Sequence, residues 1–165
     1  MKALVLYDTT FGNTEHIAEA ITLTLQEALQ TRLASVSDAR DFEAALVGID
    51  LLVVGGPTQR HGISDPLKAR LAQLGDRGLD GLRAAVFDTR LRGSRLVTGS
   101  AAARLATILR HHGAWVVVPP ASFLVGGREG PLRDGELERA RELARQVLSA
   151  AGVRVPRAPR VPAGH

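Results

Sequence analysis

Residues 3–15 of the chain read ALVLYDTTFGNTE, an apolar run followed by a short polar loop. The apolar run, Ala3 to Tyr7, has the length and the valine and leucine content of a strand that is covered on both faces. Beyond the loop, Ile17 and Ile21 begin an apolar stripe with helical spacing. The order of strand, polar loop and helix predicts a βα unit.

The same alternation continues along the chain. Further strands are predicted at 51–54, 84–87 and 115–118, with a weaker one at 32–36. Helices are predicted at 38–46 after a Ser37-Asp38 cap, at 65–74 from Asp65-Pro66, around 105–109, and across 137–148. Five βα units with right-handed crossovers predict a doubly wound α/β fold, in which helices cover both faces of a five-stranded parallel sheet.

Composition limits what the chain can be. Its 165 residues, 45% of them hydrophobic, suffice for one sizeable core and are too few for two ordinary domains. The absence of cysteine excludes disulfides, thiolate metal sites and cysteine nucleophiles, so redox chemistry requires a bound cofactor. None of the five histidines has a spacing that would recruit a second metal ligand, so no metal is expected.

Charge and hydropathy bear on partners and location. The net charge of +4 comes from arginines scattered among acidic residues, which favours a solvated, salt-bridged surface and no nucleic-acid partner. No apolar run is long enough for a signal peptide or a membrane span, so we expect a cytoplasmic protein. Residues 153–165 combine prolines with arginines and lack apolar periodicity, so we expect a disordered tail after a domain at 1–152.

The loop at 8–14 has the chemistry of a phosphate site. Its glycine and hydroxyls can wrap a phosphate, and backbone N–H groups at the positive end of the following helix attract one. The loop has neither the GxxxxGK pattern of triphosphate sites nor the GxGxxG pattern of dinucleotide sites, so a phosphate monoester fits better. Taken alone, such a turn is equally consistent with an ordinary capped helix start.

Two further loops are predicted at the same edge of the sheet. One reads GGPTQRHG at 55–62 after the third strand, and the other reads DTRLRGSR at 88–95 after the fourth. The carboxyl ends of parallel strands meet at one edge, and ligands of such folds bind there. We therefore expect these two loops and the loop at 8–14 to form one site.

At this point the chain resembles flavodoxins over residues 1 to about 152. Tyr7, Thr9, Gly12 and Thr14 resemble the phosphate loop of that family, and the Gly-x-Pro-Thr segment at 55–58 is similar to its first flavin-contacting loop. The phosphate loop looks most like those of the flavodoxin domains in flavodiiron proteins, where an aromatic replaces the central threonine. The Asp-Thr-Arg segment at 88–90 is similar to one in actinobacterial flavodoxin-domain proteins.

The resemblance implies strand order 2-1-3-4-5 and FMN as the cofactor. It assigns the FMN phosphate to Thr9, Thr10, Asn13 and Thr14 with the amides of Phe11 and Gly12. It assigns the flavin ring to Pro57, Thr58, Gln59, Arg60, His61, Gly62, Asp88, Thr89 and Arg90. Flavodoxins usually stack aromatic rings on the flavin from the second and third loops, whereas here those loops contain only His61 as a planar ring.

Several alternatives stay open at this stage. Arg90 either favours negative charge at the pyrimidine edge of the flavin or pairs with Asp88 or solvent. His61 either contacts the flavin or is solvated. The connection at 119–133 is either a lid or an extension of the last strand through Val125, and Phe123 either covers the flavin or belongs to the core.

The preferred function is an FMN-binding electron-transfer protein whose partner is a redox protein or a small-molecule electron acceptor. The alternatives are a flavin-dependent oxidoreductase acting on a quinone or another small molecule, and a cofactor-free binding module. The sequence identifies no catalytic residue and no oligomeric state.

Overall fold

The elements of the fold are taken from a computed structural model, which describes residues 1–59, 62–93 and 100–154. The strands are β1 Lys2–Tyr7, β2 Gln30–Ser35, β3 Leu51–Pro57, β4 Arg83–Leu91, β5 Trp115–Val116 and β6 Ala121–Val125. The helices are α1 Asn13–Gln26, α2 Phe42–Leu46, α3 Asp65–Leu71, α4 Ala101–His111 and α5 Glu136–Ala150. Among these described residues, no helix is long and apolar enough to cross a membrane.

All described strands are parallel and form one sheet. The order is β2-β1-β3-β4-β5, with β6 also pairing with β4, which confirms the expected order. β5 pairs with the start of β4 and β6 with its end, so the last strand is divided into two pieces. The interruption includes Pro119 and Pro120, which have no N–H to donate to a neighbouring strand. Of the two interpretations of the 119–133 connection, extension of the strand through Val125 is confirmed.

Each face of the sheet carries its own apolar core. On one face, α1 and α5 pack over Val5 and Phe87. On the other, α2, α3 and α4 pack over Leu6 and Val54. Phe123 is 1% exposed and meets Phe87 edge to face, with ring centroids 6.0 Å apart, so it is a core residue.

The free edge of β6 is covered by polar side chains of α5. Glu136 accepts a hydrogen bond from the Leu124 N–H at 2.7 Å, and Arg139 donates to the Ser122 carbonyl at 3.2 Å. The two side chains also form an ion pair at 2.8 Å. Because the strand's outward groups are occupied, this edge is protected from pairing with another chain.

Two local expectations need correction. Asp41, not Ser37-Asp38, caps α2, because its side chain accepts from the Ala44 N–H at 2.9 Å while Asp38 closes a turn with Ser35. The helix from Asp65 is shorter than expected and ends at Leu71. At the start of the predicted tail, Val153 is partly buried against the core, and residues 155–165 lie outside the described residues.

Candidate cofactor-binding site

A cavity of about 920 Å³ opens at the carboxyl edge of the sheet, where the loops after β1 and β3 meet the end of β4. That strand continues to Leu91 instead of ending at 87 as expected, so the first residues of the predicted loop at 88–95 belong to the strand. The predicted site residues in its wall are Thr9, Thr10, Phe11, Asn13, Thr14, Pro57, Thr58, Gln59, Gly62, Thr89 and Arg90. Gly12 and Asp88 are not part of the wall, and Arg60 and His61 lie outside the described residues. Tertiary structure thus brings together most of a set that spans 82 positions of the sequence, from 9 to 90.

The loop between β1 and α1 leaves backbone donors available. Gly12 is the N-cap of α1 with φ +87°, a left-handed conformation that costs glycine little, and it has no side chain that could cap the helix. Its own N–H donates to Thr9 Oγ1 at 3.0 Å, which holds the loop in a tight turn. The N–H groups of the first turn of α1 therefore need an acceptor from outside the helix, and an anion is one.

Side chains of this loop and of the first turn of α1 form hydrogen bonds with other segments of the site. The hydroxyls of Thr14 and Thr89 lie 2.8 Å apart, and both residues are almost fully buried. Gln59 donates to Thr10 Oγ1 at 3.0 Å, which connects the loops after β1 and β3. Asn13 donates to the Glu129 carbonyl at 3.2 Å. Three predicted ligand-binding residues therefore hydrogen-bond to other segments of the site, a role that sequence reasoning missed. They are Thr10, Asn13 and Thr14.

Tyr7 ties the end of β1 to the first turn of α1. Its hydroxyl donates to Glu15 Oε1 at 2.7 Å. Burial of the phenol, together with the hydrogen bond and the charge of Glu15, raises the pKa of Tyr7 to about 12. The bond joins the two ends of the loop between β1 and α1.

Asp88 lies beneath the cavity wall rather than in it. The residue is fully buried, and its Oδ2 accepts from Thr58 Oγ1 at 3.0 Å, Ser100 Oγ at 2.9 Å and the Ala102 N–H at 3.0 Å. The last two donors belong to the start of α4, whose positive end favours a carboxylate. Its Oδ1 has no hydrogen-bond partner within the described part of the chain. Asp88 thus positions Thr58 and α4 instead of presenting a carboxylate to a ligand.

The loop after β3 is held by its backbone and by close packing. Gln59 and Gly62 exchange two backbone hydrogen bonds of 2.8 and 2.7 Å, and the Thr58 N–H donates to the Thr89 carbonyl at 2.9 Å. A Cβ at Gly55 would lie 2.0 Å from the Phe87 ring, so only glycine allows this ring to pack against β3. The loop is consequently fixed relative to β4.

A family model described as Flavodoxin matches residues 5–143. The chain belongs to the flavodoxin family. Oxidised Flavodoxin 1 from Bacillus cereus is 21% identical with a TM-score of 0.76, over 90% of this chain and 98% of that one. A flavodoxin, WrbA-like protein from Agrobacterium tumefaciens is 21% identical with a TM-score of 0.70, over 93% and 99%. A search of curated proteins finds no match.

A larger protein contains the same fold. Rubredoxin oxygen:oxidoreductase from Desulfovibrio gigas is 17% identical with a TM-score of 0.74, over 92% of this chain and 36% of that one. The chain therefore spans about a third of that protein. At these identities the solved structures show a shared fold.

For a flavodoxin-family chain, the wall of this cavity is poor in aromatic rings. Among its described lining residues, Phe11 is the one aromatic, and 48% of its surface is exposed. Pro57, Leu91 and Val125 supply apolar surface instead. A flavin ring placed here would rest on aliphatic groups, on Phe11 or on residues outside the described part of the chain.

Sequence reasoning missed three cationic residues of the wall, Lys68, Arg104 and Arg128. They lie on α3, on the first turn of α4, and in the loop after β6. One signal was available, because α3 and α4 begin at the same edge of the sheet as the predicted loops. The reach of long side chains from helix surfaces into the cavity, however, depends on packing that periodicity does not reveal.

Proposed function

We propose that this flavodoxin-family chain binds FMN at the cavity and transfers electrons between redox partners. Family and fold support an FMN-binding electron-transfer role. The observation that carries the proposal is the start of α1, where uncapped backbone donors lie at a cavity lined by the loops after β1 and β3 and by the end of β4. An anion and a bulky planar group on one ligand would satisfy both features.

The phosphate end of the site fits the group. The first-turn amides of α1 and the hydroxyl of Thr9 would hold the phosphate, while Gly12 keeps the loop open by its left-handed backbone. No Cβ contact would arise at Gly12 within 4 Å, so the constraint there is conformational and not steric. Thr10 and Asn13 would add donors after rearranging their bonds to neighbouring loops.

The part of the site that would hold the flavin ring fits FMN less closely than the part that would hold the phosphate. Leu91 and Val125 would pack against the ring and exclude water from it, while Thr58 and Arg90 offer polar contacts at its edge. FMN, when bound, supplies the redox chemistry. The chain's own residues set the charge and polarity around it, and no metal is required by this assignment.

The test is a comparison of FMN with riboflavin. Removing the phosphate leaves at least two charge-assisted hydrogen bonds unmade, so we expect FMN to bind roughly 100-fold more tightly, the equivalent of about 3 kcal/mol. Binding is followed by quenching of flavin fluorescence, and the visible spectrum of the purified protein shows whether flavin is retained. Equal affinities for the two ligands would contradict the proposed phosphate site.

A variant pair locates the effect. Thr9→Val removes the oxygen that accepts a hydrogen bond from the Gly12 amide. It should weaken FMN binding while leaving the affinity for riboflavin nearly unchanged. Thr107→Val, an exposed threonine in the middle of α4 whose hydroxyl donates to the Ala103 carbonyl, is the matched control. The two variants lose the same atoms, so a difference between them reports on the site.

A further inference from the structure

The mouth of the cavity carries an excess of positive charge. Its lining includes Lys68, Arg90, Arg104 and Arg128 but, among described residues, Asp65 as the single carboxylate. Asp65 pairs with Lys68 at 3.6 Å, which neutralises that lysine locally. The excess at the mouth therefore comes from the arginines.

Two of these arginines, Arg104 and Arg128, line the cavity and form no ion pair with the described residues. Arg104 lies over the backbone of Gly62, where its Nη1 would be 3.4 Å from an added Cβ. Arg128 is exposed in the loop whose Glu129 carbonyl accepts from Asn13. Within residues 1–59, 62–93 and 100–154, neither guanidinium forms an ion pair, in contrast to the arginines of α5, which pair with glutamates one turn away.

Glu129 is the acidic residue next to Arg128, and it does not belong to the cavity wall. A partner approaching the cavity thus meets guanidinium groups, which bind carboxylates through paired hydrogen bonds.

We propose that the mouth of this cavity docks an acidic redox protein, whose carboxylates contact Arg104 and Arg128. The inference rests on the proposed function, since the electrons would come from a cofactor held in this cavity. Charge complementarity is its basis: opposite charges at a docking face steer the encounter and raise association rates by about 10- to 1,000-fold at low salt. The effect falls as ionic strength rises, because the screening length is about 8 Å at physiological salt.

The experiment uses one acceptor in two charge states. Cytochrome c is a basic protein, and succinylation of its lysines converts it to an acidic one with the same haem. The FMN-loaded protein is reduced with dithionite, freed of excess reductant and mixed with each form in a stopped-flow instrument. One electron leaves the reduced cofactor and converts ferric haem iron to ferrous iron, with no bond made or broken. We expect the succinylated form to react roughly tenfold faster at low salt, with a rate that falls as salt is added.

Variants of equal charge localise the docking face. Arg104→Gln with Arg128→Gln should remove most of the preference for the acidic form. The control is Arg110→Gln with Arg154→Gln, two exposed arginines at the end of α4 and after α5, at the opposite edge of the sheet. Both double variants lower the net charge equally, so a loss confined to the first supports the cavity mouth. An equal loss in both would mean that net charge alone steers the acceptor, and it would overturn the proposal.

Failure of this inference can be told from failure of the proposed function. Absorption spectra of the same samples report whether FMN is bound and reduced before mixing. If FMN is bound and reduced but the native, basic cytochrome c reacts equally fast or faster at low salt, the acidic-partner proposal is wrong while FMN binding stands. If no flavin is retained, the proposed function itself is wrong.

Discussion

The loop after β1 and the carboxyl end of β4 lie at the same cavity but are held in different ways. In the loop, the turn is closed by a local contact, in which Thr9 accepts a hydrogen bond from the amide of Gly12 three residues away. At the end of β4, Asp88 is buried and bound to Thr58, 30 residues earlier, and to Ser100 and Ala102, 12 and 14 residues later. A contact between near neighbours in the chain can be anticipated from the sequence, whereas a contact between distant segments cannot.

The largest expected effect comes from the distant contacts. Asp88→Ala should lower the free energy of unfolding by about 3 kcal/mol, because the buried Ala102 N–H and the part-buried hydroxyls of Thr58 and Ser100 lose their acceptor. Asp88→Asn, which keeps one acceptor oxygen, should cost less. Urea denaturation at neutral pH measures the stability of both variants. An unchanged midpoint for the alanine variant would show that the distant contacts of Asp88 do not stabilise the fold.

The local loop is probed through the chain's single tyrosine. With a pKa raised from 10 to about 12, Tyr7 should show no phenolate absorbance in the folded protein near pH 10. The folded state binds this proton more tightly than the unfolded state, so the resulting stability is complete below pH 10 and is lost between pH 10 and 12. Glu15→Gln should move the titration part of the way back to 10, since burial remains. A folded protein that titrates at 10 would contradict this assignment.

The hydrogen bond between Thr14 at the start of α1 and Thr89 near the end of β4 joins the two regions. Thr14→Val and Thr89→Val, combined in a double-mutant cycle, should show a coupling free energy of about 1 kcal/mol. Thr14→Val combined with Thr107→Val is the control, because the Thr107 hydroxyl bonds within α4 and should show no coupling beyond experimental error. No coupling in the Thr14–Thr89 cycle, or coupling of equal size in both cycles, would mean that this hydrogen bond does not link the two segments.

Arg90 tests the electrostatic role of the end of β4. If its guanidinium stabilises negative charge on the reduced flavin, Arg90→Ala should make the last one-electron reduction potential more negative by about 40 mV, the equivalent of roughly 1 kcal/mol. Arg110→Ala, at the far end of α4, is the control. Redox titration of both FMN-bound variants decides the matter, and an unchanged potential in Arg90→Ala would remove this role.

The smallest effect on stability is expected from residues 155–165, for which the sequence predicts neither local nor distant contacts. Residues 155–165 combine prolines and arginines without apolar periodicity, and Val153 already packs on the core. Truncation after Arg154 should therefore change the free energy of unfolding by less than about 0.5 kcal/mol and leave FMN affinity unchanged. A clear fall in melting temperature would show that this stretch docks on the domain.

The sequence-based predictions were accurate for features set by strong local patterns and less accurate where several local patterns compete. The apolar runs at 3–7, 51–54 and 84–87 became β1, β3 and β4, because strands covered on both faces must be continuously apolar. The helix cap at Ser37-Asp38 was wrong, since Asp41 offers equally good capping chemistry four residues later. Local propensity alone cannot choose between two such candidates.

The sequence by itself determined the layered α/β fold, the strand order through the family resemblance, and the turn around Gly12. These follow from periodicity and from contacts between residues a few positions apart, which chain connectivity already brings together. Only the tertiary structure decided that Asp88 lies beneath the cavity, that Thr14 is bonded to Thr89, and that Arg104 and Arg128 line the cavity. Those positions depend on how helices and loops from separate βα units pack against one another, and no local pattern encodes the distances between them.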